Sequence, residues 1–133
     1  MSAVFADTSY YIALLHIGDE YHAQARSYTE GFDGRMVTTA WIITETGNAL
    51  AKGANRRSFV TLLADLENDD RVQIVAPTQS LFQKGLDLYR SRMDKDWSLT
   101  DCTSFVVMQE TGLTQALTAD RHFEQAGFSV LLA

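Results

Sequence analysis

Residues 96–123, DWSLTDCTSFVVMQETGLTQALTADRHF, contain a capped apolar helix followed by a short apolar strand, and each carries an acid. Ser98 and Asp101 have the spacing of a capping box, which predicts that the helix begins beside them. Asp101 also shares a helical face with the apolar residues four and seven positions further on. Asp120 stands at the carboxyl end of the strand. We therefore expect the two carboxylates to lie close together.

Length and composition indicate one compact domain over residues 1–133. Hydrophobic residues make up 46% of the 133 positions, and there is one proline. The only cysteine, Cys102, excludes an internal disulfide and is expected in the core. The N-terminus is too short and too quickly charged for a signal peptide, and no apolar run reaches the roughly 20 residues of a membrane span. These features predict a cytoplasmic protein without membrane association.

The order of apolar segments predicts an α/β fold. Helical segments separate the short strand candidates, which is the pattern of a parallel sheet covered on both faces. Right-handed crossovers place the carboxyl ends of all such strands on one edge, where open α/β sheets keep their sites. The strand candidates are residues 2–6, 36–38 and 72–76, the strand before Asp120, and residues 129–132.

Four acids are expected at this edge: Asp7, Glu45, Asp101 and Asp120. Asp7 and Asp120 follow strands, whereas Glu45 and Asp101 lie in the first halves of helices. Asp7 could alternatively be a helix N-cap, and Asp101 a capping residue only. Glu45 falls among Trp, Ile and Ala on one helical face, where a buried carboxylate requires a cation or a proton.

Clustered carboxylates indicate a cation site. At about 5 Å and an effective dielectric constant near 20, each like-charge pair costs on the order of 3 kcal/mol. An all-oxygen set without a Cys or His partner favours Mg²⁺ or Mn²⁺ over structural zinc. Such ions are recurrent catalysts of phosphodiester cleavage. The chain has no glycine-rich phosphate-binding motif, so a nucleoside-triphosphate site is not expected.

The acidic motifs resemble those of PIN-domain ribonucleases in order and spacing along the whole chain. They are Phe5-Ala6-Asp7-Thr8-Ser9, Glu45 on the third helix, Ser98-Leu99-Thr100-Asp101, and Leu117-Thr118-Ala119-Asp120-Arg121-His122-Phe123. The resemblance implies a Rossmann-like, three-layer α/β/α sandwich with a central parallel sheet of about five strands. It also implies a Mg²⁺- or Mn²⁺-dependent endoribonuclease that cleaves single-stranded or structured RNA.

The same resemblance assigns roles and partners. The metal-binding, catalytic acids would be Asp7, Glu45, Asp101 and Asp120, supported by Thr8, Ser9 and Thr100. Asp96 is expected in a solvated loop nearby. Small members of this family are commonly VapC-like toxins of toxin–antitoxin pairs, often dimeric and inhibited by a cognate antitoxin. Exposed aromatic residues could form the dimer or antitoxin surface, or could instead fill the core: Tyr10, Tyr11 and Tyr28.

The net charge of −6 argues against general nucleic-acid affinity. Bound divalent ions would offset part of it, and two basic clusters could hold RNA phosphates or could simply be solvated: Lys52, Arg56 and Arg57, and Arg90, Arg92 and Lys95. Two other interpretations remain. A receiver-type phosphoryl-transfer domain would need adjacent aspartates after the first strand and a late lysine, which this chain lacks. A non-catalytic binding module on the same fold would not need all four acids.

Overall fold

A computed structural model describes residues 2–133, which form a five-stranded sheet in which every strand pairs in parallel with its neighbours. The strand order across the sheet is β3-β2-β1-β4-β5. This arrangement confirms the predicted fold class. The strands are β1 (Ala3–Ala6), β2 (Arg35–Thr39), β3 (Val72–Val75), β4 (Gln115–Leu117) and β5 (Ser129–Val130).

Seven helices connect the strands within residues 2–133. They are α1 (Thr8–Leu15), α2 (His22–Gly31), α3 (Ala40–Ala49), α4 (Ala54–Asn68), α5 (Gln79–Ser91), α6 (Leu99–Thr111) and α7 (His122–Gln125). Because parallel crossovers are right-handed, α1 to α4 cover one face of the sheet and α5 to α7 cover the other. The packing agrees, since α1 contacts α2, α3 and α4, whereas α6 contacts α5 and α7.

The strand order reverses between β1 and β4, which lie side by side. Phe5 pairs with Ala116 and Ala6 with Leu117. The amide of Asp7 then donates a hydrogen bond to the carbonyl oxygen of Leu117, with an N···O distance of 3.2 Å. A crevice forms beyond the carboxyl ends of strands at such a reversal, and ligands bind there in open α/β folds.

Helix α6 is the most deeply buried helix segment next to this crevice. Every residue from Asp101 to Met108 is buried. The Phe105 ring meets Trp97 and Phe123 edge-on, with centroids 5.0 and 4.9 Å apart. This aromatic packing fixes both the start of α6 and the turn that follows β4, so the acids on these two elements are held rigidly.

Two of the three tyrosines, Tyr10 and Tyr11, fill the core, which was one of the two alternatives for them. Tyr10 and Tyr11 are 2% and 1% exposed, so the prediction that they form an interaction surface is wrong. Helix α1 contacts three other helices, and its Tyr11 hydroxyl reaches the Met36 sulfur on β2, so the helix is buried on more than one side. Tyr28 is partly buried against Phe32, with ring centroids 5.2 Å apart.

Some predicted boundaries also change. Strand β5 covers two residues instead of four, although Leu131 and Leu132 still donate backbone hydrogen bonds to Ala116 and Thr118. Helix α3 ends at Ala49, three residues before Lys52. No helix within residues 2–133 is long and apolar enough to cross a membrane.

Candidate metal centre

Asp7 follows β1 directly and is 5% exposed. Asp7 is the N-cap residue of α1 by its backbone position, as the capping alternative predicted, but its side chain makes no capping hydrogen bond. The Oδ2 atom instead accepts hydrogen bonds from the hydroxyls of Thr118 at 2.7 Å and Ser9 at 3.3 Å. Burial raises the pKa of Asp7 to about 6 against the effect of the Thr118 hydrogen bond, and the charges of Asp101 and Asp120 add to the rise.

Asp101 lies in the first turn of α6 and does cap that helix. Its amide donates to Ser98 Oγ at 3.0 Å, and its Oδ2 accepts from the Ser98 amide at 3.0 Å. The same Oδ2 lies 3.1 Å from Nδ1 of His122. Burial raises the pKa of Asp101; the Ser98 hydrogen bond opposes this rise, and the charge of Asp120 adds to it. Asp101 is therefore both a capping residue and a member of the acidic cluster.

Asp120 lies three residues beyond β4 and faces the same crevice. Its Oδ1 accepts a hydrogen bond from the His122 amide at 2.9 Å and lies 3.4 Å from His122 Nδ1. Its own amide donates to Thr118 Oγ1 at 3.0 Å. The Thr118 hydroxyl thus links Asp7 after β1 to Asp120 after β4. Thr118 is completely buried, and its role was not predicted from the sequence.

Glu45 on α3 reaches the cluster from the side of the crevice. It is exposed, so the expectation of a buried carboxylate on an apolar face is wrong. Its Oε1 accepts a hydrogen bond from Thr8 Oγ1 at 2.5 Å. Thr8 begins α1 directly after Asp7, and this contact therefore joins the Glu45 helix to the end of β1.

A cleft of about 340 Å³ brings the four predicted acids together. Among residues 2–133, no lysine or arginine lines it. Thr8 and Ser9 line the cleft as predicted, but Thr100 does not. Asp96 is exposed in its loop, as expected, and still borders the cleft. The lining residues are Asp7, Thr8, Ser9, Ile12, Glu45, Asp96, Ser98, Asp101, Asp120 and His122.

Three of these side chains have the spacing of a metal-ligand set. Asp101, Asp120 and His122 each offer one ligand atom, and the three atoms lie within 4.8 Å of one another. The all-oxygen ligand set stays a prediction, and His122 places a nitrogen atom at ligand spacing beside two of its acids. His122 was missed as a site residue, although its position two residues after Asp120 is a usable signal. Carboxylate oxygens with one imidazole nitrogen suit a divalent cation.

A PIN-domain family model matches residues 4–129. The chain belongs to the PIN-domain family. This PIN domain is 27% identical over 125 residues to the "23S rRNA-specific endonuclease VapC20" of Mycobacterium tuberculosis strains CDC 1551 / Oshkosh and H37Rv, covering 94% of this chain and 95% of the relative.

Solved structures agree with the fold of this PIN domain. The crystal structure of M. tuberculosis VapC20, described as a "Sarcin-Ricin loop cleaving toxin", superimposes with a TM-score of 0.85 at 27% identity over 96% of both chains. The FitAcB structure from Neisseria gonorrhoeae matches with a TM-score of 0.64 at 14% identity, again over 96% of both chains. At that identity the second likeness concerns the fold alone.

Proposed function

We propose that this PIN-domain protein is a metal-dependent endoribonuclease that cleaves single-stranded or structured RNA, with Mg²⁺ or Mn²⁺ as the ion. The main observation in support is the cleft in which Asp7, Glu45, Asp101 and Asp120 meet, which no lysine or arginine lines within the described residues 2–133. Four carboxylates in one cleft repel each other unless a cation or protons neutralise them. The related VapC20, which is named as an endonuclease, supports the assignment.

Some residues of the site would bind the ion, and others would hold the ion-binding carboxylates in place. Asp7, Asp101 and Asp120, with Glu45 at the side, would hold the ion, which when bound polarises the phosphate and supplies hydroxide from bound water. Thr118 and Ser9 hold the Asp7 carboxylate through their hydroxyls, and Thr8 holds Glu45. These hydrogen bonds keep the carboxylates in place before RNA binds, which lowers the cost of organising the site.

RNA would approach along the side of the cleft near Asp96, which also borders a second cleft of about 340 Å³ lined by Arg92 and Lys95. Both cations contact Asp94, so their charge is partly neutralised. Because these positive charges are few and partly neutralised, we expect modest affinity for the RNA phosphate backbone and selection of the substrate by RNA shape.

The biological setting is proposed from the relative and the family. VapC20 is named for 23S rRNA and for cleavage of the sarcin-ricin loop, and this chain would act on RNA of that class. Residues 1–133 would form a single nuclease domain that acts in the cytoplasm as a toxin, restrained by a cognate antitoxin and able to form a homodimer. The alternative is a non-catalytic PIN-fold module, and cleavage in the following assay would exclude it.

The test is RNA cleavage by purified protein in Mn²⁺, in Mg²⁺ and in EDTA. Suitable substrates are an unstructured oligoribonucleotide, a stem-loop of the sarcin-ricin type and intact ribosomes. We expect cleavage with either metal, and a loss of about 100-fold or more in Asp7→Asn and Asp101→Asn because each removes a cation ligand. Asp33→Asn, in an exposed loop, is the matched control. Cleavage in EDTA, or full activity of either site variant, would contradict the proposal.

A further inference from the structure

We propose that His122 is itself a ligand of the divalent ion, and that its nitrogen makes the centre select Mn²⁺ over Mg²⁺. This inference deepens the metal-dependent nuclease proposed above and rests on it for the presence of an ion. The cation would then be held by two aspartates and one imidazole, Asp101, Asp120 and His122, instead of by carboxylates alone.

The spacing of the three side chains suits a single ion. His122 Nδ1 lies 3.1 Å from Asp101 Oδ2 and 3.4 Å from Asp120 Oδ1. Atoms that bind one octahedral ion at about 2.1 Å are separated from each other by roughly 3 to 4 Å. An ion could therefore replace the hydrogen bond between His122 and Asp101 with little movement of either side chain.

The backbone around His122 holds the ring at this place. Its amide donates to Asp120 Oδ1 at 2.9 Å, and this contact ties the start of α7 to the acid after β4. The next residue, Phe123, is fully buried and packs edge-on against Phe105 on α6. The His122 side chain is 32% exposed and lines the cleft, so an ion can reach it from solvent.

The identity of the third ligand affects which ion is preferred. Mg²⁺ requires oxygen ligands in near-ideal octahedral geometry, whereas imidazole nitrogen suits transition metals. Asp7 and Glu45 lie outside the three-atom group and accept hydroxyl hydrogen bonds, so they would add carboxylate oxygen around the ion without replacing the His122 nitrogen. Removing the His122 nitrogen should therefore weaken Mn²⁺ more than Mg²⁺.

The experiment combines spectroscopy with competition binding on the whole protein. Protein labelled with ¹⁵N-histidine is loaded with Mn²⁺, and pulsed EPR detects nitrogen coupled to the ion. We expect coupling in the wild type and in His16→Gln, where an exposed histidine is removed, and no coupling in His122→Gln. Mn²⁺ affinity should fall by about 10-fold or more in His122→Gln, while Mg²⁺ affinity changes by less than about threefold.

Several results would overturn the ligand role: wild-type protein that binds no Mn²⁺, bound Mn²⁺ without nitrogen coupling, coupling that persists in His122→Gln, or an equal loss of affinity for both ions. The wild-type spectrum decides the question even if the variant folds poorly. The same samples are tested for RNA cleavage. Cleavage without nitrogen coupling would contradict only the role of His122 as a metal ligand. Nitrogen coupling without cleavage of any RNA would contradict the nuclease activity and support the ligand role.

Discussion

Asp7 is a buried carboxylate that lies in the candidate metal centre. Its carboxylate is 5% exposed, accepts hydrogen bonds from Thr118 and Ser9, and has a pKa raised to about 6 from 3.8, chiefly by burial. A charge in such a place is destabilising for the metal-free protein and favourable once a cation is bound. Either a proton or a bound cation relieves this buried charge.

This raised pKa predicts how stability depends on pH without metal. Between pH 3.8 and about 6 the folded protein retains a proton on Asp7 that the unfolded chain has lost, so the free energy of unfolding falls as pH rises through this window. In EDTA, Asp7→Asn should be more stable than wild type by about 1–3 kcal/mol above pH 7 and equal to it below pH 4. Urea unfolding from pH 4 to 8 measures this.

Asp33→Asn is the control, because an exposed loop aspartate should give the same small difference from wild type at every pH. A difference between Asp7→Asn and wild type that did not change across the window would contradict burial as the cause of the raised pKa.

The four acids could be identified from the sequence, but the side chains that contact them could not all be identified. Asp7, Glu45, Asp101 and Asp120 could be named because charged residues are rare in apolar segments and follow strand or helix boundaries. Thr118 could not, since its role depends on the distance between β1 and β4, which no local pattern encodes. His122 was missed, although it lies only two residues after Asp120. The catalytic role of the four acids stays a prediction until variants are assayed.

The position of α6 depends on a close crossing with α5. Gly85 of α5 is buried, and a Cβ placed on it would lie 2.6 Å from Cγ2 of Thr103 on α6. Such a contact requires either the Thr103 side chain or one of the two helices to shift. Because α6 carries Asp101 at its first turn, the crossing also supports the candidate metal centre.

Gly85→Ala should therefore destabilise the protein by about 1–2 kcal/mol, since overpacking costs about 1–3 kcal/mol and alanine returns up to about 1 kcal/mol of helix propensity. Thr103→Ser removes the obstructing methyl and keeps the hydroxyl that donates to the Thr100 carbonyl oxygen. The double variant should regain most of the lost stability in urea unfolding.

Gly31→Ala provides the matched control, because a Cβ on this last residue of α2 meets nothing within 4 Å. Gly85→Ala with wild-type stability, or a double variant no better than the single one, would show that the crossing tolerates the extra methyl.

The start of α6 could be predicted from the sequence, whereas the length of β5 and the exposed faces of the helices could not. Ser98 accepts the capping hydrogen bond that its position predicted. Caps are local in sequence, whereas the length of β5 depends on pairing with β4. The burial of Tyr10 and Tyr11 also depends on distant elements, because three helices and Met36 on β2 contact α1.

The whole molecule is acidic, with a net charge of −6, and part of that charge is concentrated in the cleft at the strand-order reversal. The negative net charge predicts weak general affinity for RNA, and the acidic cleft predicts strong dependence of the activity on divalent ions. The parallel sheet could be predicted from the alternation of strands and helices along the chain, because crossover handedness limits the possible topologies. The reversal of strand order between β1 and β4 was not predicted.

The effects of metal and of charge removal should have opposite signs in Asp101→Asn. In EDTA the variant should melt at or above the wild-type temperature, because it loses repulsion while its amide oxygen can still accept the Ser98 hydrogen bond. With Mn²⁺ at about 100 times its Kd, the wild type should gain roughly 2.7 kcal/mol, or about 5–10 °C, and the variant much less. Asp33→Asn should follow the wild type in both conditions. Equal Mn²⁺ shifts for wild type and Asp101→Asn would mean that the acids do not form one site, and the metal and nuclease proposals would fall together.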